Sequence, residues 1–356
     1  MEDSMKQYLW QGKVSNYSQL GGIETSVLDN GLGRNVRIAW INTGSGLRYK
    51  VVIDRAMDIA DTFYNQHSLA WLSHTGITSP RPDSDRDVAW LGTFGGGLLT
   101  TCGLTHIGGP EKDENETRGV HGKISNTPAM LESVIQPDII SGNLDMSITA
   151  VMKESKVFGP NLELKRTVTS SLGSSYIRIK DSVTNLGNTS VPHMLLYHCN
   201  FGWPFVDEGT QIVWKGRCTS RGTENDDAIF NNNMNYKICQ KPIDTHKGGG
   251  EACGFIDVDA DENDTCRIGI YNSRLNLAVA MEYDKKQLPC LTNWQHWGCG
   301  EYVTALEPGT NHPVGQTAAK KQNQLIYIEP GQRKNYEVKL TVITDHKQIQ
   351  EFASIG

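Results

Sequence analysis

In the stretch LLYHCNFGWP, residues 195–204, a histidine interrupts an apolar and aromatic run. Such surroundings penalise the imidazolium and lower the pKa of His198. On the residues alone two readings stand: a histidine placed for chemistry, or a core histidine bonded to backbone. In TALEPGTNHPVG, Glu307 follows an apolar pair and precedes a Pro-Gly turn, a strand-end position that suits a pocket or open solvent equally. VVIDRAMDIADTFY interrupts an apolar strand and its continuation with Arg55, Asp58 and Asp61. Arg55 offers a planar fork of donors suited to hydroxyl or carboxylate oxygens. An internal Arg55–Asp58 ion pair is the alternative, since a buried polar group left unpaired costs kilocalories per mole. His106 in GLTHIGGP and His121 in GVHGKISN each adjoin glycine, where backbone can approach a ligand closely. LTNWQHWG adds Trp294, Gln295, His296 and Trp297: indoles for apolar C–H faces and an amide for hydroxyls, or simply core.

The elements that must position these groups are strands. Period-two alternation puts Leu162, Leu164, Arg166 and Val168 on one face of NLELKRTVTSS, and Ile177, Ile179, Asp181 and Val183 on one face of SYIRIKDSVTN. NYEVKLTVIT repeats the pattern with Tyr336, Val338, Leu340 and Val342. Further candidates such as RNVRIAWI, LDMSITAVM and LNLAVAMEY are separated by Gly, Asn, Asp or Pro turns. Long amphipathic helical stretches are scarce, and no repeat of 20 to 50 residues appears, which disfavours a propeller or solenoid. The expectation is an all-β chain forming one large antiparallel sandwich over residues 1–356. Two polar segments, 80–87 and 110–119, read as exposed loops flanking AWLGTFGGGLLTTCGL. His193 and His198 lie five apart, so on a strand they face opposite sides and share no metal.

Composition removes whole classes of function. With 34 Lys+Arg against 40 Asp+Glu, the net charge of −6 offers no broad basic surface for nucleic acid. The opening MEDSMKQYLWQGK lacks a basic start and an apolar core, and no run of about 18 apolar residues follows, so neither a secretion signal nor a membrane span is expected. The eight cysteines form no CxxC pair and no zinc-ligand spacing, which fits free thiols in a reducing cytoplasm. Nucleotide-loop, zinc-protease and serine-nucleophile motifs are absent, so no metal or cofactor is expected.

Taken in order, HGKISNTPA, YHCNFGWP and ALEPGT resemble the aldose 1-epimerase (galactose mutarotase) superfamily. DRAMDIAD, FGGGLLTTCGLTHIGGPE and HGKIS are closer still to its DUF4432 branch, and the likeness spans roughly residues 35 to 345. The resemblance implies a single β-supersandwich with a sugar site in an open cleft. It implies His198 as general acid, with Asn200 preceding Phe201 where the family motif has them reversed, and Glu307 as carboxylate base. It gives His121 to the ring oxygens of the sugar. The motif of the family's substrate arginine is not reproduced cleanly; Arg55 is the candidate, ahead of Arg48 and Arg118. Asp58, His106, Asn200, Trp203, Gln295 and His296 complete the expected substrate-binding set.

The residue types suit interconversion of sugar anomers. A base takes the proton of the anomeric hydroxyl, an acid protonates the ring oxygen, the ring opens, the C1–C2 bond turns, and the ring recloses from the other face. The partner implied is a small carbohydrate. Two alternatives are a carbohydrate lyase or glycosidase on the same fold, and a sugar-binding protein without catalysis. A glycosidase usually needs two flanking carboxylates, and only Glu307 lies in a motif.

Overall fold

A computed structural model describes residues 12–114, 116–231 and 235–356. The expectation of no leader rests on the opening residues, of which 1–11 lie outside the described ones. Among the described residues no helix is long and apolar enough to cross a membrane.

The alternating segments become antiparallel strands, and the large antiparallel supersandwich expected from them is what the chain forms. Eight strands make one sheet, with Arg333–Ile343, Tyr176–Asn185, Asn161–Ser171 and Asp145–Ser155 adjacent near its middle. A seven-stranded sheet carries Ala252–Val258, Cys290–Gly298, Glu301–Gly309 and Val191–Gly202 side by side, and Thr100–Leu104 pairs with the last of these. A five-stranded meander, from Gly22–Val27 to His67–Ser68, forms a third sheet. One core joins all three: Ile59 and Leu99 pack with Ile148, Leu164, Ile179 and Val338, and with Tyr197, Phe201 and Leu306. The charged residues on the core faces of the alternating strands are paired. Arg166, wholly buried, meets Asp181 at 2.6 Å and Asp58 at 3.4 Å, and Tyr197 donates its hydroxyl to Asp181 at 2.7 Å.

One expectation needs correction here. The polar segment 110–119 is not simply an exposed loop, because Glu111–Lys112 and Thr117–Arg118 pair as a small hairpin. Arg118 is buried in it, held by carboxylates of Glu111 at 3.0 Å, Asp113 at 2.7 Å and Glu116 at 3.3 Å. Three carboxylates surround the guanidinium in this hairpin, so Arg118 is structural.

His193 and His198 do face opposite sides of their strand. His193 is sealed in the core, with Nδ1 2.9 Å from the Leu104 carbonyl and Nε2 2.9 Å from the Tyr336 hydroxyl, and burial pushes its pKa down to about 4. In the unfolded chain a histidine titrates near ~6.5. Between those values the unfolded state binds a proton that the folded state refuses, so stability is present above the window and is lost as pH falls through it. Going from pH 7 to pH 5, His193 alone is expected to cost about 2 kcal/mol. Urea titrations at both pH values check this. The pH-dependent difference in the wild type should exceed that in His193→Gln, and equal differences would refute it.

Candidate active site

Three neighbouring strands build the floor of a cleft. Cys199 lies opposite Leu306 and Leu196 opposite Gly309, a register that sets His198 opposite Glu307. On its other side Glu307 is paired with Thr292, and in the next row on the same face Ala305 stands between Asn200 and Trp294. Residues one step away turn inward, where Tyr197, Cys199, Phe201 and Leu306 join the core. Antiparallel pairing thus turns a long separation in sequence into a cross-strand contact, with His198 Nε2 3.3 Å from Glu307 Oε1.

Above this floor the cleft encloses about 590 Å³ and is walled by Trp71, Trp90, Phe94, His121 and Trp294. The His198 ring lies 5.2 Å from Phe94, 5.4 Å from Trp294 and 6.0 Å from His121, edge-on to the last two. Trp90 stacks on Phe94 at 4.5 Å and tilts against His121 at 4.9 Å. Aromatic faces of this kind suit the apolar C–H faces of a small polar ligand.

Burial sets the charges on the floor. It pushes His198 down to about 4, opposed only by the side chain of Asn200. It raises Glu307 well above the usual carboxylate range, helped by the charge of Glu251 and opposed by Arg221. Burial thus disfavours charge on both partners, leaving the imidazole uncharged at neutral pH and holding the carboxyl toward its protonated form. Desolvation of both groups outweighs their mutual attraction, and the lowered His198 agrees with its apolar surroundings in the sequence. His121 accepts the Gly108 N–H on Nδ1 at 3.3 Å, which leaves Nε2 to carry hydrogen. Burial, then His198 and His106, push it down to about 3. Its backbone is left-handed, φ 55°, and the next residue must be glycine, since a Cβ on Gly122 would stand 2.4 Å from the Gly103 carbonyl oxygen.

An ionic clamp closes one side. Arg221 donates Nε and Nη2 to Asp226 at 2.9 and 3.0 Å and Nη1 to Glu251 at 2.7 Å. Glu251 in turn accepts the Trp294 indole N–H at 2.8 Å, which fixes that ring over the floor. Asp226 caps the helix Glu224–Phe230 reciprocally with Thr223, so the clamp is anchored in regular structure. His296 donates Nδ1 to the Gly250 carbonyl and holds the glycine loop 248–250 against the cleft.

Of the expected site residues, the cleft brings together His198, Glu307, His121 and His296. Asn200 shares the face of His198 without lining the cleft, its amide donating to the Gly97 and His198 carbonyls at 2.9 and 3.0 Å. Gln295 lies on the opposite face of its strand, spent on the Tyr236 carbonyl, Asn293 and the Trp297 indole. Trp203 lies past the end of the histidine strand, 68 % exposed and outside the cleft. His106 sits behind the wall and bonds the Gly109 carbonyl at 2.8 Å; it shapes the turn without lining the cleft. Arg55 and Asp58 line a different pocket, and they form no ion pair with each other, since Asp58 meets Arg166 instead. The arginine of the cleft is Arg221, and neither Arg48 nor Arg118 lines it. Sequence reasoning also missed Glu251, Glu301, Trp71, Trp90 and Phe94. The one local signal was the triplet Gly248–Gly250 directly before Glu251.

A family model described as a domain of unknown function, DUF4432, matches residues 33–342. The chain belongs to the DUF4432 family. A Klebsiella pneumoniae structure provisionally called an aldose 1-epimerase superposes on this DUF4432 protein with a TM-score of 0.85, at 24 % identity, covering 96 % of this chain and 90 % of that one. A galactose mutarotase-like protein from Clostridium acetobutylicum gives 0.61 at 13 % identity over 90 % and 98 % of the two chains. A galactose 1-epimerase from Lactobacillus acidophilus gives 0.57 at 9 % identity over the same shares. No curated protein matches the chain. At these identities the likeness fixes the fold, and DUF4432 here has the galactose mutarotase-like one.

Proposed function

We propose that this DUF4432 protein is a mutarotase of the aldose 1-epimerase type, interconverting the anomers of a monosaccharide or sugar derivative without a cofactor. The observation that carries the reading is the 3.3 Å contact of His198 with Glu307 on the floor of an aromatic cleft. The pair holds one transferable proton. In the resting state it sits on Glu307; the form that opens the ring has it on His198, one transfer along the same contact. Glu307 then takes the proton of the anomeric hydroxyl and His198 protonates the ring oxygen, after which the open chain turns and recloses. His121, with hydrogen on Nε2, is a donor for ring or hydroxyl oxygens. The indoles hold the apolar sugar face.

Saturation-transfer NMR between α and β anomers, across a panel of neutral aldoses, ketoses and uronates, tests the reading. Accelerated exchange for one of them is the expected result. Binding without exchange for every sugar tried would instead favour the sugar-binding alternative.

The pH profile follows from the proton count. Exchange needs one proton on the pair, so it should fall on the acid side near pH 4, where His198 also charges, and on the alkaline side where Glu307 finally ionises. Both limbs belong to the pair rather than to one residue. Glu251→Gln removes the charge that helps hold Glu307 up, so the alkaline limb should move to lower pH while the acid limb stays. An alkaline limb that does not move would show that Glu251 does not tune the pair.

A further inference from the structure

The motif DRAMDIAD, which the cleft leaves unused, opens into a pocket of its own. This pocket of about 230 Å³ is walled by Val52, Ile59, Leu72, Ile77 and Leu99, and Arg55 and Asp58 are its buried charged groups. The two differ in what they have left to give. Arg55 spends its donors on the Ser125, Thr78 and Thr93 carbonyls and the Thr78 hydroxyl. Asp58 takes every donor on Oδ1: the Thr101 N–H at 3.0 Å, the Thr101 hydroxyl at 2.6 Å and Arg166 Nη1 at 3.4 Å. Its Oδ2 accepts no hydrogen bond among the described residues, although the side chain is only 9 % exposed.

The backbone that presents the two groups is unusual. Ala56 and Met57, between them, are both left-handed, φ 52° and 59°, a conformation that residues with a Cβ seldom adopt. Arg166 Nη1 holds the Ala56 carbonyl at 3.1 Å, and the Ala56 N–H bonds Thr127 at 3.0 Å. Backbone held in a sparsely populated region by its surroundings is a recurring property of ligand sites.

We propose that this pocket is a second binding site, taking a small neutral polyhydroxyl ligand that donates a hydroxyl to Asp58 Oδ2 and lays an apolar face on Leu72, Ile77 and Leu99. An acceptor that opens into a pocket and has no partner within the chain takes a donor from whatever fills the pocket, and a hydroxyl supplies one without adding charge. A cationic ligand would meet Arg166, 3.4 Å from Asp58, and Arg55 in the same pocket. An anion would find four of the five Arg55 N–H groups taken and Lys50 bound to Asp61 at 2.6 Å. Burial holds the Asp58 carboxyl up, to about 6, in keeping with a group short of hydrogen-bond donors. The room suits about the size of a four- or five-carbon polyol, given ~30 Å³ per water-sized group.

The pocket backs onto the cleft. Trp71 and Phe94 face the cleft while their neighbours Leu72, Gly95 and Gly96 face the pocket, and Thr100 of the pocket is paired with His198. The site does not depend on what the cleft catalyses.

Erythritol and xylitol are suitable probes, since neither has an anomeric centre and neither can be turned over. In protein with labelled Ile, Leu and Val methyl groups, either polyol should shift Leu72, Ile77 and Leu99 saturably. Asp58→Asn should abolish the shift. So should Leu72→Trp, which fills the pocket from a half-exposed position and leaves the buried polar network intact. Three results would overturn the proposal: no saturable shift with either polyol, shifts confined to Leu91 and Val120 of the cleft wall, or stronger shifts of the pocket methyls by butylammonium or butyrate.

Discussion

Glu307→Gln is expected to slow anomer exchange by about 10²–10⁴-fold, the usual worth of one positioned proton-transfer group. The substitution is suited to the test because burial holds Glu307 toward its neutral acid form. An amide of the same shape leaves no buried charge unpaired, and the urea midpoint should stay close to that of the wild type. His198→Gln should lose a similar factor for the complementary reason, since it removes the group 3.3 Å from Glu307 that carries the proton to the ring. The two act as one unit, so the double variant should be little slower than either single one. Saturation transfer on folded protein measures all three. If Glu307→Gln exchanged within about tenfold of wild type, the pair would be a set of sugar ligands and the mutarotase reading would fail.

The second large effect lies in the core. Arg166→Leu should destabilise the fold by about 3–5 kcal/mol, the range for removing one partner of a buried ion pair. Arg166 is wholly enclosed and answers two carboxylates, Asp181 at 2.6 Å and Asp58 at 3.4 Å, as well as Thr101 at 2.7 Å and the Ala56 carbonyl. Without it Asp181 keeps only the Tyr197 hydroxyl among these partners. The double variant Arg166→Leu/Asp181→Leu should recover part of the loss, because the cost is that of a stranded charge more than of a missing contact. Urea unfolding of both variants separates the effects, and a loss below about 1 kcal/mol for the single variant would place it in the range of an exposed ion pair.

The sheets could be read from the sequence because period-two alternation is local. Leu164, Arg166, Ile179, Asp181 and Val338 lie on core faces just as their spacing requires. The floor of the site was half readable for a related reason: His198 and Glu307 each stand out against apolar neighbours, although their 3.3 Å meeting depends on pairing that no local pattern reveals. The errors share a physical source. Trp203 and Gln295 were chosen for side-chain type next to good candidates, but strand alternation turns Gln295 inward and the strand ends before Trp203. Arg55 looked like a substrate arginine because its fork is free in the sequence and occupied in the fold. Arg221 and Glu251 were passed over because neither interrupts an apolar run. Their importance comes from the clamp they form with Asp226 and Trp294, which exists only in three dimensions.

The indoles around the cleft have an optical consequence. Three of the chain's eight tryptophans, Trp71, Trp90 and Trp294, line it, and Trp294 is further polarised by its bond to Glu251. A molecule settling between them displaces water from their excited-state surroundings, so intrinsic emission shifts with occupancy whether or not a reaction follows. The protein thus carries its own unlabelled gauge of binding, one that reads substrates, products and inert analogues on the same scale.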